Sequence, residues 1–303
     1  MTYRKLFDPE RSLSPVEPAT PERLADRTRD IPYLYNDEAV LALNVALATG
    51  RPLLVRGPSG VGKSALARDV ARRLDRRLLE IQMTSRTEAQ DLLWRFDALR
   101  RLQDAQLGQV REEIAYITPG VVWHAFDPSG AAEQAARTER AGGAAAADVP
   151  GSGNAVILID EIDKADPDVP NNLLTMLGNL AFWVEPLALE VRAEHAPLIV
   201  ITTNDERDLP AAFIRRCIEL ALKQPDVAML TAIGAVHFPE CPPVQLEALA
   251  RQSCEGTGRA ASTAEYLDLV QACTELGVEV GSPTWSALLD ATLSKPLAKG
   301  ALA

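Results

Sequence analysis

The sequence predicts an α/β fold: a mainly parallel sheet flanked by helices, followed by a small all-helical C-terminal domain. Three observations carry this prediction. Between residues 37 and 222, short apolar runs alternate with stretches of helical spacing. One junction from apolar run to helix is a glycine-rich turn. After Pro225 the apolar runs stop and only helical spacing continues. A chain of 303 residues suits two domains at about 100–200 residues each.

Residues 1–34 are polar, charged and proline-containing, and read as an N-terminal arm without the apolar core of a signal peptide. The nucleotide-binding domain is expected over 35–224. Asp37 to Ala48 has helical spacing, with Ala39, Val40, Ala42, Leu43 and Ala46 apolar. Pro52 to Val55 is a buried strand, and Ser64 to Leu74 is a helix with Leu66, Val70 and Leu74 on one face. Leu78 to Met83 is a strand, Glu88 to Gln103 a helix, Ile114 to Ile117 a short strand and Val121 to Phe126 a helical turn. Residues 130–153 are rich in Ala and Gly and read as a flexible surface insertion. Ala155 to Ile159 is a strongly apolar strand and Val169 to Leu180 a helix. Phe182 to Val191 suits a hairpin, Leu198 to Thr202 a buried strand, Pro210 to Cys217 a short helix and Ile218 to Leu222 a last strand. Residues 225–303 form the helical domain, with helices over Asp226–Ala235, Val244–Arg251, Ser262–Leu276 and Pro283–Leu293.

Composition narrows the function. A net charge of -11 argues against a surface built to grip nucleic acid, because phosphate binding needs a basic footprint. No run approaches the ~18 apolar residues of a membrane helix, so a cytoplasmic protein with no membrane association is expected. Cys241 and Cys254, with His237 nearby, lack the paired spacing of a zinc site, and the four cysteines read as reduced thiols. His124, His195 and His237 are scattered, and none is assigned a role.

The strongest chemical signal is Gly57-Pro58-Ser59-Gly60-Val61-Gly62-Lys63-Ser64, which matches GxxxxGK[ST] between a strand and a helix. Its glycines let backbone N–H groups curl around phosphate oxygens, and the helix N-terminus adds a favourable dipole. Lys63 is placed to reach the β- and γ-phosphates, and the Ser64 hydroxyl to bind Mg2+. The second signal is the strand Ala155 to Ile159 ending in Asp160-Glu161. Asp160 suits Mg2+ binding through water, and Glu161 suits polarising the attacking water as a general base. Asp163 and Asp166 follow at once and read as surface helix charges. The third is Asn204, a polar amide at the tip of the strand Leu198 to Thr202, able to orient that water. The fourth is Arg215-Arg216 at the end of a short helix, since a guanidinium group suits developing phosphoryl charge and can be supplied by a neighbouring subunit.

Phosphate loop, DE strand, strand-tip Asn, Arg pair and helical lid, in that order, resemble the AAA+ superfamily. More narrowly they resemble its MoxR family, through RPLLVRGPSGVGKSALA, ITPGVVWHAF, VILIDEIDKADPDVPNNLL, IVITTN and LPAAFIRRC. The resemblance covers residues 35 to 222. It implies an AAA+ P-loop core and an ATPase with ATP and Mg2+ as ligands. It implies a homo-oligomeric, usually hexameric ring with ATP between subunits, a partner carrying a von Willebrand factor A domain, and a protein client. It implies Walker A roles for residues 57–64, Walker B roles for Asp160 and Glu161, a sensor 1 role for Asn204 and an arginine-finger role for Arg216, with Arg215 close behind. It also implies inserts at Thr84 to Glu113 and Phe182 to Val191 that project toward the ring pore. One departure stands out: the family's lid often carries a Ser-Pro-Arg sensor 2 motif, whereas the matching stretch here is Ser282-Pro283-Thr284, and Thr284 supplies no cation to the γ-phosphate.

The function that follows is chaperone-like remodelling or maturation of a partner protein. Two other classes share the motifs. A nucleic-acid-linked motor or restriction-type NTPase needs a basic face, and the dense basic stretches Arg68 to Arg77 and Arg95 to Arg101 read as solvated helix faces. A low-turnover ATP-dependent regulatory switch accords with Thr284.

Overall fold

The computed structural model describes residues 3–10, 32–138, 154–255, 261–278 and 281–293. The chain runs α1 (Asp37–Thr49), β1 (Leu53–Arg56), α2 (Lys63–Arg73), β2 (Arg77–Gln82), β3 (Trp94–Phe96), α3 (Ala98–Gln106), β4 (Ile117–Pro119), α4 (Val121–Phe126), α5 (Pro128–Thr138), β5 (Ala155–Asp160), α6 (Val169–Asn179), β6 (Ala181–Val184), β7 (Leu189–Arg192), β8 (Leu198–Thr203), α7 (Ala211–Ile214) and β9 (Ile218–Ala221). Among the described residues four helices follow: α8 (Val227–His237), α9 (Pro243–Glu255), α10 (Thr263–Leu276) and α11 (Trp285–Thr292). Two compact units result. One holds Tyr35–Arg56, Ala67–Leu220 and the described residues 3–10; the other holds Gly57–Leu66, the described residues 32–34 and the helices after Ala221.

The first unit is organised by a five-stranded sheet in the order β2-β5-β8-β1-β9. The pairs β2–β5, β5–β8 and β1–β8 are parallel. Residues Ala155–Ile159 of β5 and all of β8 are buried, which is why these strands read as unbroken apolar runs rather than alternating ones. The register sets Gln82 opposite Asp160 and Arg56 opposite Thr203, so the carboxyl ends of four strands share one edge. In open α/β sheets that edge is where ligands bind.

Three stretches differ from the sequence reading. Glu88 to Gln103 is not one helix: Trp94–Phe96 leaves the helical path to pair antiparallel with Ile117–Pro119, and Asp97 restarts α3 by accepting the Arg100 N–H at 2.8 Å. Ile114 to Tyr116 lies in a 3-10 turn, with strand geometry beginning only at Ile117. In the expected flexible insertion, residues up to Thr138 belong to α5, which buries Ala131, Gln134 and Thr138. The Gln134 amide donates to the carbonyl oxygens of Ile114 and Ile117, so the small residues pack a helix rather than loosen a loop. Residues 139–153 lie outside the described residues.

Part of the N-terminal arm is likewise held. Phe7 is buried, its ring 5.1 Å from that of Tyr35. The Asn44 carboxamide on α1 accepts the Leu6 and Phe7 N–H groups and donates to the Phe7 carbonyl. The expected hairpin over 182–191 forms as β6 and β7, with Trp183 exposed.

The second unit's helices close over Leu230, Leu246, Leu249, Tyr266, Leu269, Val270 and Trp285. Ser262 and Glu265 form a reciprocal capping box that starts α10. Among the described residues, no helix is long and apolar enough to cross a membrane.

Candidate active site

The glycine-rich segment grows directly out of β1, since Gly57 follows Arg56. Gly57, Gly60 and Gly62 have φ of 146°, 78° and 96°, values an L side chain resists. At Gly60 space also forbids one: a Cβ would lie 2.6 Å from the Ser262 Cβ. Lys63 is 6% exposed despite its charge, and its ammonium donates to the carbonyl oxygens of Gly57 and Pro58, each at 2.8 Å. The cation therefore sits within the curve of the loop. Ser64, half-buried, lies in the first turn of the 11-residue α2. Curved backbone, enclosed ammonium, helix-start amides and a hydroxyl fit the phosphates of a nucleotide with its divalent cation.

At the carboxyl end of β5 the second cluster forms. Asp160 ends the strand and Glu161 turns it, with φ 59° and ψ 52°, a left-handed conformation uncommon for a residue with a Cβ. The Glu161 carboxylate accepts from three side chains: Asn204 Nδ2 at 3.2 Å, Gln82 Nε2 at 2.8 Å and Lys164 Nζ at 2.8 Å. The Lys164 ammonium, aided by the two amides and opposed by burial, holds this carboxyl below its ordinary range. Thr202 touches both acidic residues: its hydroxyl donates to Asp160 Oδ1 at 2.5 Å and accepts the Glu161 N–H at 2.9 Å. A carboxylate pair of this kind offers hard oxygen ligands for Mg2+ from Asp160 and a proton acceptor from Glu161.

The sequence-predicted residues Asp160, Glu161 and Asn204 are thus brought together. Gln82, Thr202, Lys164 and Asp163 join them unforeseen. Asp163 corrects the reading of a surface charge: it is 3% exposed, and its Oδ2 accepts the Asn204 and Glu206 N–H groups at 3.1 and 3.0 Å. The missing signal was slight, a third acid two residues after Glu161 and polar residues at the tips of the strands flanking β5.

Arg215 and Arg216 lie elsewhere. They precede β9, whose Ile218 N–H donates to the Pro52 carbonyl at the start of β1. This is the amino edge of the sheet, a strand length of about 13 Å from the carboxyl edge. Both side chains are exposed, while the main chain is gripped: the Arg51 guanidinium donates to the carbonyl oxygens of Arg215 (2.6 Å), Arg216 (3.1 Å) and Cys217 (2.9 Å). Thr284 is exposed just before α11.

A parallel sheet with a GxxxxGKS loop after β1 and a carboxylate pair after β5 defines a P-loop NTPase of the ATPase type. Residues 52–217, more than half of the chain, match the AAA domain (dynein-related subfamily), and the chain belongs to that family. Among solved structures, one variant of RuvB from Thermotoga maritima is 16% identical with a TM-score of 0.50, matching 88% of this chain and 73% of that one. Another variant of the same protein is 16% identical with a TM-score of 0.48, matching 84% and 68%. At this identity the likeness concerns the fold alone; the AAA family match and the chain's own C-terminal helices make that fold an AAA+ core with a helical lid. Comparison with curated protein sequences finds no match.

Proposed function

We propose that this chain is a MoxR-like AAA+ ATPase that uses ATP binding and hydrolysis to remodel or mature a partner protein in the cytoplasm. The observation that carries the catalytic part is the Glu161 carboxylate held 3.2 Å from the Asn204 amide, beside Asp160, at the carboxyl edge of a parallel sheet. Acceptor and donor so close, on two adjacent strands, can share one water molecule.

In this reading residues 57–64 cradle the triphosphate, Lys63 meeting the β- and γ-phosphates. Ser64 and Asp160 would hold Mg2+, which neutralises phosphate charge when bound. Asn204 orients a water in line with the γ-phosphorus. Glu161 takes a proton from it as the water oxygen bonds to phosphorus, and the bond to the ADP oxygen breaks with its electron pair leaving on ADP. Arg216, with Arg215 beside it, stabilises that charge in the site of a neighbouring subunit. Thr284 adds no cation, so Lys63 and the neighbour's arginine carry that task.

A homo-oligomeric, usually hexameric ring belongs to this reading by resemblance to the MoxR family, and the position of Arg215 and Arg216 at the amino edge of the sheet accords with service to a neighbouring subunit's site. The exposed Trp183 on the β6–β7 hairpin suits contact with a protein client. A partner with a von Willebrand factor A domain belongs to the same reading, by resemblance to the MoxR family. The acidic chain, at -11, accords with a protein rather than a nucleic-acid client.

The test is Glu161→Gln. Turnover should fall by about 10²–10³-fold while ATP stays bound, and the stalled protein should retain a specific protein that nucleotide removal releases. Hydrolysis at the wild-type rate would remove Glu161 from the mechanism. Nucleic acid retained in place of protein would overturn the remodelling role.

A further inference from the structure

Thr202 stands in a run that is otherwise Leu198-Ile199-Val200-Ile201, at a fully buried position where valine would match its shape. A hydroxyl buried there is unfavourable unless bonded. It is bonded twice, and both bonds go to the acidic turn: one donated to the Asp160 carboxylate, one accepted from the Glu161 N–H. The second bond holds the residue whose backbone is left-handed, and so fixes where its carboxylate points. The reverse link runs from the acidic turn to the end of β8. Asp163 is buried, and its Oδ2 takes the N–H groups of Asn204 and Glu206. A carboxylate 3% exposed is a costly way to tie down a loop. Each segment thus grips the other's main chain, and the two grips lie on either side of the Glu161–Asn204 contact.

We propose that Thr202 and Asp163 are positioning residues that form a reciprocal clamp, fixing the distance between the proton acceptor Glu161 and the water-orienting Asn204 and the aim of Asp160 toward its cation. The clamp rests on the reading of Asp160, Glu161 and Asn204 as the hydrolytic residues. Neither Thr202 nor Asp163 touches substrate; each acts through a neighbour. Loss of the clamp should therefore lower the rate of the chemical step and raise the Mg2+ needed, with nucleotide affinity intact.

The experiment compares Thr202→Val, which keeps shape and deletes both bonds, with Thr202→Ser, which keeps the hydroxyl. Turnover, affinity for a fluorescent ATP analogue without metal, and the half-saturating Mg2+ concentration are measured. For Thr202→Val, turnover should fall about 10–100-fold and half-saturating Mg2+ should rise several-fold, with analogue affinity within about twofold of wild type. Thr202→Ser should return turnover to within about threefold of wild type. Asp163→Asn, isosteric and uncharged, gives the same test if Thr202→Val does not fold: about a tenfold loss of turnover at unchanged analogue affinity. A purely structural threonine would lower the melting temperature and leave the Mg2+ requirement alone. Turnover within about twofold of wild type in Thr202→Val or Asp163→Asn, an unchanged Mg2+ requirement in Thr202→Val, or a serine variant as impaired as the valine one, overturns the clamp. Glu161→Gln, run alongside, separates the two readings: if it stalls while Thr202→Val turns over normally, only the clamp fails. If Glu161→Gln itself turns over normally, the assignment of the hydrolytic residues fails first.

Discussion

The two edges of the sheet hold their candidate site residues in opposite ways. At the carboxyl edge the side chains are gripped: Glu161 accepts from Asn204, Gln82 and Lys164, and Asp160 accepts from Thr202. At the amino edge the main chain is gripped instead. Arg51 takes the carbonyl oxygens of residues 215, 216 and 217, and the Arg215 and Arg216 side chains stay exposed. Groups that act within their own chain can be preorganised by that chain, which lowers the cost of reaching the transition state. A group that acts on another chain's ligand needs a fixed root and a free tip. Under the proposed function, the carboxyl edge supplies residues that act within their own chain and the amino edge residues that act on a neighbour.

The largest effect that could break this contrast is on Arg216. Arg216→Ala should lower turnover by about 10³-fold with ATP affinity retained. Mixed with Glu161→Gln, it should regain part of the activity, because each variant supplies what the other lacks. Mixtures no more active than either variant alone would place the arginine's work within its own chain, or nowhere. Arg51→Ala should have a smaller effect, about a tenfold loss of turnover, since it frees the root of the pair without deleting the pair. Activity at the wild-type level in Arg51→Ala would show that the main-chain grip serves stability alone, to be read as a lowered melting temperature.

The smallest effect is a shift rather than a loss. Lys164 is the leading cause that holds the Glu161 carboxyl below its ordinary range. A depressed carboxyl stays ionised as pH falls, and gains its proton only below the usual carboxylate value of about 4.3. Lys164→Ala should move the acid limb of the turnover profile to higher pH, with the plateau near neutrality retained. An acid limb that stays in place would mean that the Gln82 and Asn204 amides suffice. Lys164 itself is raised by the same pairing, in the direction that keeps it charged across this range.

Much of this was legible in the sequence, because the signals are local. A loop with φ values that only glycine adopts easily must contain glycine, and Gly57, Gly60 and Gly62 announce it. Strands buried on both faces must be apolar, and β5 and β8 stand out for that reason. Other features were illegible because they are partnerships across the fold. Trp94–Phe96 has a helix-like pattern and becomes a strand only because Ile117–Pro119 lies beside it. Asn44 looks like a polar interruption of α1 until Phe7 docks on it. Asp163 reads as one acid among several, and only the left-handed turn at Glu161 and the arrival of Asn204 and Glu206 make it a buried anchor.

By itself, then, the sequence determined the alternating α/β core, the phosphate-binding loop, the acidic strand end and the helical lid, since backbone conformation, strand burial and helical spacing are written in consecutive residues. Only the tertiary structure decided which polar groups meet at the strand tips and which edge of the sheet carries the arginines. Those depend on strand order and register, which bring together residues 82, 161, 202 and 204 across separations no local pattern records.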